Sequence, residues 1–311
     1  PTIHPHYREI INYLGSVKEI TKVSVSTNGI KLLEDPEFMK FHKDRGVIIS
    51  LQFDGKRGEI YQQLRGRDLS EIKLQLIDQL VEEDIDCSLI MTIARGINDT
   101  VEDVKTVYNK FIRHENILSL LFQPLVYTQT LNVMDRLTIP DVIRLVAKAS
   151  VFNIAEEDFM PLPCCHPDCF SLVHLLKIGD GKYLPIRKFL NSEKYGNLIK
   201  NKSFFGTDED SFNEIRELVF DLWTAQDEVC ECMRDLHQQA LKSIKGIIKD
   251  LQQETFDSRR TFSQAGRKIK SLYIHHFMDV DTFDLTRVRR CCTIYPKADG
   301  QFYPICSFNN R

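Results

Sequence analysis

The chain has 311 residues, 42% hydrophobic and 27% charged, enough apolar material for one large domain or two of ordinary size. A net charge of −3 gives no general electrostatic attraction for nucleic acid. No run of eighteen apolar residues occurs, so no membrane-spanning helix is expected.

The first 130 residues repeat a β/α unit. Residues 7–14 have the apolar spacing of a short helix, with His4 and Pro5 at its entry. Residues 20–27 (ITKVSVST) alternate and are rich in β-branched side chains, a strand that stops at Asn28–Gly29. A short helix over 36–45 leads into Gly46–Phe53 (GVIISLQF), a continuous apolar run suited to a buried parallel strand and closed by Asp54–Gly55. Residues 69–83 place Leu69, Ile72, Leu76, Ile77 and Leu80 on one helical face, with Asp68 as the cap. The strand Cys87–Ile93, a helix over 101–113 and the strand Leu118–Leu125 complete the run. Strand–helix alternation at this spacing predicts an α/β fold with a parallel sheet, the later part of a β/α barrel. In such barrels ligands meet the C-terminal ends of the strands, where Thr27, Asn28, Gln52, Asp54, Thr92, Arg95 and Gln123 stand.

The second half carries the cysteines. Of nine, only Cys87 lies in the first half, inside an apolar strand where it reads as a core thiol. A helix over 138–150 starts with Pro140 in its first turn. Next comes Pro161-Leu162-Pro163-Cys164-Cys165-His166-Pro167-Asp168-Cys169, whose prolines predict a loop presenting three thiols in six residues. Near the end, Cys291-Cys292 is followed by Asp299–Gly300 and Cys306, which reads as a hairpin returning Cys306 toward Cys291. In a chain of this size the crowded cysteines indicate a metal or cluster site more than a disulfide framework. Their spacing alone leaves a structural zinc open. His166 ranks below the thiols as a ligand, and His275 and His276 read as satisfied core histidines. Residues 211–253 form a long amphipathic stretch, expected to break around Gly246 or earlier. Cys230 and Cys232 within it point to opposite sides of a helix and suit packing better than one metal.

These residues resemble a known family. Pro1-Thr2-Ile3-His4-Pro5 is similar to the tail of the loop after the second strand of radical S-adenosylmethionine (SAM) barrels, and Thr27-Asn28-Gly29 to the end of the third. Gln52-Phe53-Asp54-Gly55 resembles the ribose-contact segment of the fourth, and Gly96-Ile97-Asn98-Asp99 the segment after the fifth. The cysteine segments, with Phe122-Gln123-Pro124 and Arg136-Leu137-Thr138, resemble the group that holds tetraether lipid synthase and the class D radical SAM methylases.

The resemblance implies barrel strands three to six over residues 1–130, and a mainly helical auxiliary-cluster region over 131–311. It implies SAM bound by Asn28, Gln52, Asp54, Thr92, Arg95 and Gln123, with Asp54 on the ribose and Arg95 on the carboxylate. It also implies an auxiliary [4Fe–4S] cluster held by Cys165, Cys169, Cys291 and Cys306, with Cys164 and Cys292 as substitutes. The catalytic [4Fe–4S] cluster and its three-cysteine motif are expected only in a longer, full-length protein. The expected chemistry is a 5′-deoxyadenosyl radical acting on an unactivated carbon, either joining lipid chains or methylating a pterin-like acceptor. A ferredoxin or flavodoxin would serve as reductant. The expected location is cytoplasmic, peripheral to the membrane for a lipid substrate. The rival from another class is a non-catalytic protein with a structural zinc or Fe–S site.

Overall fold

A computed structural model describes residues 1–20, 22–127, 136–151, 153–179, 181–200, 213, 216, 217, 219, 220, 231–253 and 258–309. Helix α1 (Tyr7–Ser16) precedes strand β1 (Ser24–Thr27), and α2 (Ile30–Glu34) and α3 (Pro36–Asp44) lead to β2 (Ile48–Gln52). Helices α4 (Gly58–Arg65) and α5 (Ser70–Glu82) lead to β3 (Cys87–Ile93), and α6 (Val101–Arg113) to β4 (Ile117–Pro124). The four strands lie side by side, all parallel. Local chemistry sets the helix starts. Asp35 accepts from the Phe38 amide with Pro36 in the first turn, and Thr100 accepts from the Asp103 amide. At α5 the Asp68 carboxylate accepts from both the amide and the hydroxyl of Ser70.

Helix α7 (Ile139–Ala149) opens with a Thr138–Asp141 capping box. The chain then re-enters the same sheet through β5 (Met160–Pro161), β6 (Phe170–Ile178) and β7 (Lys182–Pro185). Helices α8 (Ser192–Leu198), α9 (Glu231–Gln253) and α10 (Ser258–Lys268) precede β8 (Ile269–His275). Last come α11 (Leu285–Arg289), the hairpin β9 (Ile294–Pro296) and β10 (Phe302–Pro304), and α12 (Ile305–Asn309). The sheet order is β1-β2-β3-β4-β8-β6-β5, with β7 paired to β6. Strand β8 is parallel to β4, and β6 is antiparallel to β8.

Among the described residues of 131–311 helical residues still outnumber strand residues, and what the mainly helical expectation did not include is that β5–β8 complete the central sheet. Strand β6 hides from pattern reading because both its faces are covered. Val173 and Leu175 join the core shared with β1–β4, while Leu172 and Leu176 join a second core with Tyr195, Ala240 and Ile244. Double burial removes the alternation that marks a half-exposed strand. Helix α9 runs through Gly246, so the 211–253 stretch does not break there, and most of the stretch before Glu231 lies outside the described residues. Cys230 and the side chain of Cys232 lie outside the described residues.

A buried cation fastens the two halves. Lys270 on β8 donates to the carbonyls of Phe111 (2.7 Å), His114 (2.6 Å) and Ile117 (2.8 Å), where α6 ends and β4 begins. The C-terminal turn of a helix presents unpaired carbonyls and a partial negative charge, which suits an ammonium. Among the described residues no helix is long and apolar enough to cross a membrane.

Candidate functional site

Parallel strands deliver their C-terminal ends to one edge of the sheet. There, Thr27, Asn28, Gln52, Thr92 and Gln123 line an open cleft of about 870 Å³ together with Lys31, Arg65 and Pro1–Ile3. Four of the six residues expected at a cofactor site thus share one cleft. Asp54 and Arg95 are not among its lining residues.

Asp54 stands beyond the end of β2, where Gly55 turns at φ 138°, and it is fully buried. Its carboxylate accepts from the Thr92 amide (2.9 Å), from Arg65 Nε (3.1 Å) and from the Gln52 amide group. Arg65 also donates to the Thr92 hydroxyl at 2.8 Å. The Tyr61 hydroxyl donates to the Gly55 carbonyl (2.9 Å) and accepts from the Asp54 amide (3.2 Å), which locks the turn. Asn98 closes the network, donating to the carbonyls of Thr92 (2.8 Å) and Asp54 (3.1 Å). Asp54 is therefore placed beneath the cleft, holding Arg65, Gln52 and Thr92 in position.

Lys73, also buried, donates to the Asn28 carbonyl at 2.6 Å. Burial pushes its ammonium down to about 8, with Asp54 pulling the other way. Gly29 has φ 81°, and a Cβ there would collide with Leu76 Cδ2, so only glycine lets this loop lie on α5. Arg95 belongs to a different lattice: it pairs with Asp99 (3.6 Å) and Asp141 (3.7 Å) and donates to the Arg136 carbonyl (3.5 Å). Arg136 in turn holds Asp279 and Asp281, each at 2.8 Å.

The cysteine segments meet at the same edge of the sheet. Phe170 at the start of β6 is registered against His275 at the end of β8, so the loop before β6 and the loop after β8 emerge together. A small cavity of about 140 Å³ there is lined by Cys165, Cys169, Cys291, Cys292 and Cys306, with His275, His276 and Arg287. Cys164 completes the group, its sulfur 3.2 Å from that of Cys292. The β9–β10 hairpin, turning at Gly300 (φ 79°), and the bond from the Ile305 amide to the Thr293 carbonyl (3.0 Å) bring Cys306 back beside Cys291.

Two arginines of α11 and its end hold this arrangement. Arg287, 7% exposed, donates to Cys169 Sγ (3.2 Å) and to the carbonyls of Asp168 (3.2 Å) and His276 (2.8 Å). Arg290 donates to the Cys165 carbonyl at 2.9 Å. The Met278 amide donates to Cys306 Sγ at 3.3 Å. Burial and the neighbouring thiols push Cys165 up to about 12; burial and contact with Cys164 do the same for Cys292. Burial raises Cys306 as well. Cys165 and Cys291 donate to the carbonyls of Leu162 (3.4 Å) and Thr293 (3.1 Å). In these rotamers no three His, Cys, Asp or Glu side chains among the described residues are disposed to hold a metal ion. The donor set nonetheless suits an iron–sulfur group: soft thiols crowded in a small apolar pocket, two of them receiving N–H donors. His166 lies outside the cavity lining, its ring 3.6 Å from Asp168, and Cys87 is a fully buried core thiol.

Sequence reasoning missed Arg65, Lys73 and Arg287. The available signal for Arg287 was its place one helical turn before Cys291.

No family model matches the chain. It is similar to a pterin-modifying enzyme. The relative, from Methanocaldococcus jannaschii, is named 7,8-dihydro-6-hydroxymethylpterin dimethyltransferase and is 27% identical over an alignment of 346 positions. That alignment takes in 99% of this chain and 65% of the relative, so the chain spans just under two thirds of the relative's length.

Proposed function

We propose that the chain forms part of a radical SAM methyltransferase that modifies a pterin-like acceptor, with SAM in the strand-end cleft and a [4Fe–4S] cluster in the thiol pocket. The observation that carries this reading is the convergence of the two cysteine segments beside a polar cleft on one edge of a parallel sheet. Similarity to a pterin dimethyltransferase favours methylation of a pterin-like acceptor over the joining of lipid chains.

Each group has residues that fit it. The cleft has the volume of a small-molecule site. Its amides and hydroxyls at Asn28, Gln52, Thr92 and Gln123 can bond adenine and ribose, and Arg65 and Lys31 can face a carboxylate. Cys165, Cys169, Cys291 and Cys306 would hold the cluster, with Arg287 and the Met278 amide donating to its sulfur ligands. When bound, these groups supply one-electron chemistry and the methyl or adenosyl carbon. The protein's part is to orient and to exclude water. The Asp54–Arg65–Thr92 network fixes the cleft floor, and Arg287 and Arg290 fix the cysteine loop.

Anaerobic reconstitution with iron and sulfide tests the proposal. About four irons and four sulfides per chain, with broad visible absorption, are expected for a [4Fe–4S] site. Saturable SAM binding, weakened by substitution of Gln52 or Gln123, is expected alongside. A colourless chain holding stoichiometric zinc would defeat the cluster assignment.

A further inference from the structure

Six thiols meet at the pocket, and a [4Fe–4S] cluster takes four. The two left over have a geometry of their own. Cys164 and Cys292 touch, Sγ to Sγ, at 3.2 Å, across two loops separated by 128 positions in the chain. Cys292 is exposed and Cys164 half-buried, whereas Cys165 and Cys306 are buried. Each member of the pair is the chain neighbour of a ligand candidate: Cys164 of Cys165, and Cys292 of Cys291. Arg290 already ties the loops at this separation through the Cys165 carbonyl, at 2.9 Å. A disulfide needs a sulfur separation near 2.05 Å, so closing the bond requires the two sulfurs to approach by only about 1 Å.

We propose that Cys164 and Cys292 are a redox modification site, a reversible disulfide that latches the two ligand-bearing loops. The proposal rests on the reading that Cys165, Cys169, Cys291 and Cys306 hold the cluster. The oxidant is a low-molecular-weight disulfide. One thiol of the pair gives up its proton and attacks one sulfur of the oxidant, forming a mixed disulfide and releasing one thiolate. The partner thiol, losing its proton, then displaces the second thiolate. Two protein thiols and one small disulfide become one protein disulfide and two small thiols, with both protons passing to the released sulfurs. The pair consumes the oxidant, and the four ligands stay reduced and held in position for metal.

The test uses the metal-free 311-residue chain, incubated with oxidised glutathione, blocked with N-ethylmaleimide and mapped by peptide fragmentation in a mass spectrometer. A Cys164–Cys292 bond is expected, reversed by dithiothreitol, with the other four pocket thiols alkylated. A bond elsewhere among the six, or glutathione adducts alone, overturns the latch. In parallel, Cys164→Ser and Cys292→Ser are reconstituted with iron and sulfide, their folding checked by circular dichroism. Cluster content equal to the parent supports the latch. A fall of half or more makes the pair ligands and overturns the latch while leaving the cluster reading intact. If the parent takes up no iron yet the Cys164–Cys292 bond maps, the cluster reading fails and the disulfide stands.

Discussion

The strand-end cleft and the thiol pocket share an edge of one sheet but are built on opposite plans. In the cleft, charges are already answered: Asp54 has Arg65, Gln52 and the Thr92 amide, and Lys73 has the Asn28 carbonyl. Such a network keeps its shape without a ligand, because every buried group is paired. In the pocket the groups resemble one another. Thiols crowd thiols, and burial together with the neighbouring sulfurs raises the resistance of Cys165, Cys292 and Cys306 to ionisation. A cluster of like groups gains its charge balance only when a cation arrives. On the proposed reading, the first site is pre-shaped for its ligand and the second is pre-gathered for its metal.

The largest expected effect breaks the pocket alone. Replacing Cys169 and Cys306 together by serine should cut reconstituted iron more than tenfold while SAM affinity of the cleft stays within twofold, read by iron analysis and equilibrium dialysis. Equal loss at both sites would mean that the two regions are one cooperative unit.

Next in size, Asp54→Ala removes the buried anion that holds Arg65 in the cleft lining and leaves the Thr92 amide without its acceptor. A stability loss of about 3 kcal/mol is expected in urea denaturation. Lys270→Met leaves three carbonyls without their donor and should cost about 2 kcal/mol. Because Lys270 joins α6 and β4 to β8, its loss should also loosen the register that brings the cysteine loops together, lowering iron uptake. A smaller effect sharpens the cleft: Gln123→Ala should weaken SAM binding by about 1 kcal/mol, one neutral hydrogen bond, with iron content unchanged.

The smallest effect is a pH slope. Burial holds His42 below its ordinary range, and the ring pairs with the Tyr7 hydroxyl (2.7 Å) and the Phe38 carbonyl (2.6 Å). A base whose folded pKa lies below its unfolded value of about 6.5 adds stability above that pH and loses it on acidification. Stability should therefore fall as pH drops below about 6.5, and His42→Gln should flatten the slope. An unchanged slope would assign the acid sensitivity elsewhere.

Much of the cleft was legible from sequence because four of its residues stand at strand ends: Asn28, Gln52, Thr92 and Gln123 close runs whose apolar pattern is plain. Asp54 and Arg95 stand just past strand ends, where the chain has already turned. Their destinations depend on partners at Arg65, Asp141 and Arg136, which no local pattern announces. The cysteine convergence followed from the hairpin and from family resemblance. Its frame did not, because β6 and β8 are joined by register across almost a hundred residues and show no alternation. Contact between Cys164 and Cys292 could only be seen in three dimensions.

The antiparallel pairing of β6 with β8 has a consequence for how the chain tolerates change in length. Leu176 is registered against Ile269 at one edge, and Phe170 against His275 at the other. The chain leaves β6 at Ile178 and enters β8 at Ile269, both at the edge remote from the candidate sites, with β7 and α8–α10 between them. Residues inserted between those elements, outside the strand and the helices, alter a loop-closure term that grows only slowly with length. A single residue added within β6 would instead turn its side chains to the opposite face and shift the cysteine loop by about 3.3 Å. The sheet works as a ruler whose calibrated end carries both candidate sites.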